Sequence, residues 1–103
     1  MYVRIARFEG GDGDWDERIA QIGDTIRSGG QGTPMEAASD AIKRAMLLVD
    51  RESNRGANLI FCETEDDLRR ADAALNQMTP ASGRGARTSV EMYELAFDER
   101  PGG

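Results

Sequence analysis

Residues 41–62 read AIKRAMLLVDRESNRGANLIFC, and the change of composition within them decides the fold. Residues 41–49 are a largely apolar run. Residues 50–56 (DRESNRG) are polar and carry Asn54 and Gly56, residue types suited to positive-φ turn positions, and 57–62 are apolar again. Two apolar runs of strand length joined by a tight polar loop predict an antiparallel hairpin. On its C-terminal side Thr64 is a good helix N-cap, and Glu65, Asp66 and Asp67 suit the positive end of a helix dipole. Leu68, Ala71, Leu75 and Met78 then recur at helical spacing until Pro80 stops the helix. After a glycine-punctuated loop over 79–85, residues 88–97 return to strand composition. On the N-terminal side, residues 2–8 (YVRIARF) predict a strand, stopped by the glycines between 10 and 13. Asp14 and Glu17 form an acidic version of the capping box, and Trp15, Ile19, Ile22 and Ile26 follow as one helix face. Gly29 and Gly30 end that helix, and residues 28–39 predict a loop with a single helical turn at 35–38.

The order strand, helix, strand, strand, helix, strand is that of the split βαβ, or ferredoxin-like, α+β arrangement, with one four-stranded antiparallel sheet carrying both helices on the same face. Residues 1–98 are expected to form this single domain and 99–103 a disordered tail. Along the second strand Ala45, Leu47 and Val49 oppose Met46 and Leu48; along the fourth, Val90 and Met92 oppose Tyr93, Leu95 and Phe97. Both sheet faces are therefore apolar, whereas a sheet with one wet face would alternate apolar with polar. A second copy of the sheet is the economical cover, which predicts a two-fold homodimer. The competing arrangement, one helix on each face, conflicts with the right-handed crossover preference.

Composition removes several classes of function. A length of 103 residues suits one domain, and 39% apolar with 31% charged residues is ordinary for a globular chain. Thirteen basic against nineteen acidic side chains give a net charge of −6, the wrong sign for an affinity driven by counterion release, so no nucleic-acid partner is expected. The segment 55–61 (RGANLIF) imitates an RNA-recognition strand but carries Ala57 and Leu59 where stacking aromatics would stand. With no histidine and one cysteine, a zinc site, a Ser-His-Asp triad and an internal disulfide are excluded, and no metal or cofactor is expected. The acidic run 63–67 lacks calcium-loop spacing, and the glycine-rich 83–87 precedes a strand instead of opening a helix. No apolar run approaches the roughly 20 residues of a membrane span, and the N-terminus has no signal-like apolar region, so a cytoplasmic location is expected.

The segment 43–68, above all Leu47-Leu48-Val49-Asp50-Arg51-Glu52 followed by Cys62-Glu63-Thr64-Glu65 at the start of the second helix, resembles the dimeric α/β-barrel superfamily and, within it, the antibiotic biosynthesis monooxygenase-like proteins. The resemblance extends over nearly the whole chain and is one of fold and turn. It implies a homodimer with a cavity between each sheet and its own helices. For an enzyme it implies cofactor-independent oxygenation of an activated aromatic such as a quinol, with the protein supplying orientation, a proton acceptor and donors to the oxyanion. The haem-degrading branch relies on a histidine ligand that this chain lacks.

If the chain is such an enzyme, Asn58 orients substrate or oxygen, Arg44 polarises a carbonyl, and Trp15, Cys62 and Tyr93 complete the ligand-binding set. Each has a plainer alternative. Trp15 can anchor the stripe that ends at Ile26. Asn58, between apolar neighbours, needs hydrogen-bond partners or a ligand. Arg4 and Arg44 either pair with a carboxylate such as Glu91 or Glu94 or clamp an anionic ligand. Tyr93 suits a dimer contact, and Cys62, without basic neighbours, suits an inert core position. The function that competes with oxygenation is a non-catalytic, small-ligand-binding or stress-related module that holds an aromatic or lipophilic molecule without turning it over.

Overall fold

A computed structural model describes residues 1–78 and 85–102 of the chain. Its elements follow the expected order: β1 (Tyr2–Glu9), α1 (Trp15–Arg27), a 3-10 helix (Pro34–Ala41), β2 (Arg44–Asp50), β3 (Arg55–Cys62), α2 (Glu65–Asn76) and β4 (Ala86–Glu94). The strands form one antiparallel sheet in the order β2-β3-β1-β4, an α+β arrangement compatible with the ferredoxin-like fold. No described helix is long and apolar enough to cross a membrane.

The hairpin forms where the composition places it. Asp50 pairs with Arg55 across a turn in which Asn54 takes a φ of 52°, a conformation that asparagine tolerates better than most residues. The Thr64 hydroxyl accepts from the Asp67 amide at 3.1 Å and caps α2. Asp14 stands at the N-cap of α1, but its side chain makes no capping bond and Glu17 makes none back to it, so the expected acidic box is not realised. Gly29 and Gly30 both have positive φ just after α1. At Gly30 a Cβ would stand 2.6 Å from Cβ of Met35, so the chain reverses there because no side chain is in the way.

Several boundaries differ from expectation; among them, α2 ends at Asn76, short of Met78. The single turn at 35–38 is an eight-residue 3-10 helix that opens on Pro34, with the Thr33 side chain accepting from the Met35 amide. It takes in Ala41, which is buried with Met35 and Ala38, so β2 starts at Arg44 instead. The last strand ends at Glu94, opposite Tyr2, because β1 offers no further partner beyond the bond from the Leu95 amide to the Met1 carbonyl. Phe97, expected on that strand, lies beyond it and is 77% exposed. The expected stop at Pro80 and most of the loop over 79–85 lie outside the described residues.

Register settles the faces. Tyr2, Arg4, Ala6 and Phe8 of β1 stand opposite Cys62, Ile60, Asn58 and Gly56 of β3, and Ala45 and Leu47 of β2 continue the same rows. This is the helix side. Leu68 and Ala71 of α2 close on Ile60 and Cys62, with Tyr2, Ile42, Ala45 and Leu75 packed around them. Each fully buried large aliphatic side chain in such a cluster contributes about 1.5–3 kcal/mol. The other face carries Val3, Ile5, Met46, Leu48, Leu59, Phe61 and Tyr93, with Arg7, Arg44 and Glu91 among them, and no described helix packs on it. Both faces are thus apolar in the way the strand patterns require.

Candidate functional site

The two helices serve the sheet differently. α2 packs closely on β1 and β3, whereas among the described residues α1 stands off from the sheet. The apolar stripe of α1 is only half-buried, and the one buried side chain of the helix is Arg18, at 4% exposure. Space remains beneath it. A cavity of about 490 Å³, within the range of small-molecule sites, lies between α1, the end of α2 and the sheet. Its apolar wall includes Phe8, Trp15, Ile22, Ile26, Leu47 and Ile60. Its polar lining is Arg4, Arg18, Asn58, Asn76 and Arg87.

One end of the cavity is tied together by the hairpin turn. Trp15 Nε1 donates to Asn54 Oδ1 at 3.1 Å, and Arg18 Nη1 donates to the same oxygen at 3.2 Å. Arg18 Nη2 reaches the Gly10 carbonyl at 3.2 Å, and its guanidinium lies 3.6 Å from the centre of the Trp15 ring, a cation–π contact. Asn54 Nδ2 completes the knot by donating to the Gly11 carbonyl at 3.0 Å. The indole can lie flat on the sheet because residue 56 is glycine: a Cβ there would stand 3.1 Å from Trp15 Cη2.

The other polar group gathers at the C-terminal end of α2. Arg4, 3% exposed, donates from Nε to Asp72 Oδ1 at 2.9 Å and from Nη2 to Asn76 Oδ1 at 3.0 Å. Arg87 Nη1 donates to that same Asn76 oxygen at 2.8 Å. Asp72 and Asn76 are four residues apart and so share a helix face. No basic residue occupies the last turn of α2; Arg4 and Arg87 bring cations to the negative end of its dipole from the strands.

Of the candidates read from sequence, Trp15 and Asn58 come together in this cavity. Asn58 is half-buried and its amide makes no side-chain hydrogen bond among the described residues. The structure places the other three candidates elsewhere. Cys62 is fully buried in the α2 core, away from the cavity lining, and desolvation pushes its thiol pKa up. Arg44 is on the opposite sheet face with its guanidinium 5.9 Å from the Phe61 ring centre, where it has no access to the cavity. Tyr93 is on that face too, 51% exposed, and donates to Glu91 Oε2 at 2.5 Å. That bond to a carboxylate raises the phenol, while the Tyr93 hydroxyl and then Arg7 hold Glu91 below the usual carboxylate range. The cross-strand partner of Glu91 is Arg7, at 2.8 Å, and neither Arg4 nor Arg44 pairs with Glu91 or Glu94.

The chain matches no family model, no curated protein and no solved structure. The site therefore rests on its own geometry. Sequence reasoning passed over Arg18, Asn76 and Arg87. Arg18 was detectable, since it stands three residues after Trp15 and four before Ile22, on the stripe assigned to the core. Asn76 was likewise detectable at four residues from Asp72, but nothing in the sequence brings Arg87 to it. Among the described residues the lining holds hydrogen-bond donors and amides, with no carboxylate, thiol or phenol to take a proton.

Proposed function

We propose that this chain is a small-ligand-binding protein that holds an aromatic or lipophilic molecule between its sheet and α1. The observation that carries the proposal is a cavity of about 490 Å³, apolar over most of its wall, into which the half-buried Asn58 brings an amide with no protein partner among the described residues. Such an amide is stabilised by a guest that pairs with it. Oxygenation of a quinol-type substrate, which the family resemblance implies, needs a proton acceptor beside the guest, and the described lining offers guanidiniums and amides without a carboxylate, thiol or phenol. Binding without turnover is the better-supported function.

Asn58→Leu tests it. The variant should be as stable as the parent or more so, because an apolar side chain replaces an unpaired amide, while affinity for hits from a small-aromatic screen falls. Unchanged affinity for every hit removes Asn58 from the site, and a screen without hits removes the site itself.

The assembly belongs to the same proposal. Val3, Ile5, Met46, Leu48, Leu59 and Phe61 share the face that no helix covers, and a second copy of the sheet packed on it is the homodimer that the two-sided apolar pattern supports.

A further inference from the structure

We infer that the guest of this cavity is an amphipathic carboxylate, its anionic end seated at Arg87 and Asn76 and its apolar body lying beneath α1 against Ile22, Ile26 and Ile60. The inference deepens the ligand-binding proposal and rests on it. Its first support is the sign of the lining. In a chain with nineteen acidic and thirteen basic side chains, every charged residue among the described lining is an arginine. The second is how the charges at the end of α2 are matched. Arg4 has Asp72 as its carboxylate partner, but Arg87 has none among the described residues, and both guanidiniums converge on the one neutral oxygen of Asn76. A cation in excess thus stands where the polar lining meets the apolar wall.

The plainer role for Arg87 is to face the carbonyl end of α2. That end carries only about half an elementary charge, which leaves part of the guanidinium charge unmatched. The planar fork of an arginine fits a carboxylate with two parallel hydrogen bonds, and such charge-assisted bonds are the strong ones. The attached body is fixed by the surroundings. Ile22 and Ile26 are half-buried, line the cavity and gain burial only from something placed beneath them. The net charge of −6 would repel an anion at long range, so a preference for an anion over its neutral counterpart has to arise locally.

The test is a matched pair titrated calorimetrically into the full chain at moderate salt: 2-naphthoate and 2-naphthalenemethanol, which share the aromatic body and differ in charge. The expected result is about tenfold tighter binding of the carboxylate, the size of one partly exposed charge-assisted hydrogen bond. Arg87→Gln, at an exposed position, should abolish that preference. Equal binding of the two compounds by the parent overturns the carboxylate assignment while the ligand-binding proposal stands. A preference that survives in Arg87→Gln overturns the seat at Arg87. If neither compound binds at millimolar concentration, the ligand-binding proposal falls and this inference with it.

Discussion

Asn54 joins the hairpin turn, the glycine loop and the start of α1, and its replacement by alanine should be among the most damaging changes outside the core. Its side chain accepts from Trp15 Nε1 and Arg18 Nη1 and donates to the Gly11 carbonyl. Each such bond contributes about 0.5–1.5 kcal/mol net, so losing all three costs about 2–4 kcal/mol. The backbone adds to this, since alanine at a φ of 52° is disfavoured by about 1 kcal/mol. The sum, about 3–5 kcal/mol, is a large share of the 5–15 kcal/mol typical of a domain. Asn54→Gly separates the two contributions: it loses the bonds but adopts the turn without strain, and should be about 1 kcal/mol more stable than Asn54→Ala. Urea unfolding followed by far-ultraviolet circular dichroism gives both numbers. Fluorescence of Trp15, the only tryptophan of the chain, should report a loosened α1 start in the same samples. An Asn54→Ala variant within about 0.5 kcal/mol of the parent would show that the knot contributes nothing beyond ordinary surface contacts.

Two further outcomes follow from the faces of β2 and β3. Leu47 lines the cavity and Leu48, 53% exposed, points to the uncovered face. Leu47→Glu should therefore destabilise the fold at any protein concentration. Leu48→Glu should leave a folded chain that sediments as a monomer, because in the proposed homodimer two-fold symmetry would place two carboxylates in the contact at a cost of several kcal/mol. A parent protein that is already monomeric at micromolar concentration removes the dimer. Cys62, fully buried with its thiol pKa raised by desolvation, should resist iodoacetamide at neutral pH until the chain is unfolded by urea. Labelling of the native protein as fast as a free thiol would show that the α2 core opens readily.

The hairpin, both helices and the two-sided apolar pattern of the sheet are legible because each rests on a local signal: the polar break at 50–56, the Thr64 cap, and the period-two alternation of Ala45, Leu47 and Val49 against Met46 and Leu48; which of the two sets meets the helices is decided only by the pairing register. The 3-10 helix is longer than expected because Ala37, Ala38 and Ala41 carry little periodic signal, and the burial of Ala38 and Ala41 beside α2 is a tertiary effect. Phe97 was assigned to β4 from composition, but a strand ends where its partner ends, and β1 had no residues left to pair. Half of the site was legible: Trp15 and Asn58 announce themselves as a lone indole and an amide in an apolar strand. Of the arginines Arg4 stands out as a possible anion clamp but Arg18 and Arg87 do not, since where a long charged side chain goes depends on what the fold brings within reach. Arg4 and Arg44 both sit near the start of a strand, yet the pairing registers send one to the cavity beside Asp72 and the other to the uncovered face beside Phe61.

The way α1 is mounted bears on how readily such a protein can change its guest. The helix is moored at its start by the Trp15, Arg18 and Asn54 knot, and at its end by the turn in which the Gly30 amide donates to the Thr25 carbonyl at 2.8 Å. Between these moorings it spans the cavity like a beam, and Ile22 and Ile26 hang from it into the space below. Exchanging either for a larger or smaller side chain resizes the chamber without touching a ladder bond of the sheet or a contact of α2. Under the proposed function, fold and guest selection fall to separate residues, so descendants of this sequence would have room to vary what they hold while keeping the framework that holds it.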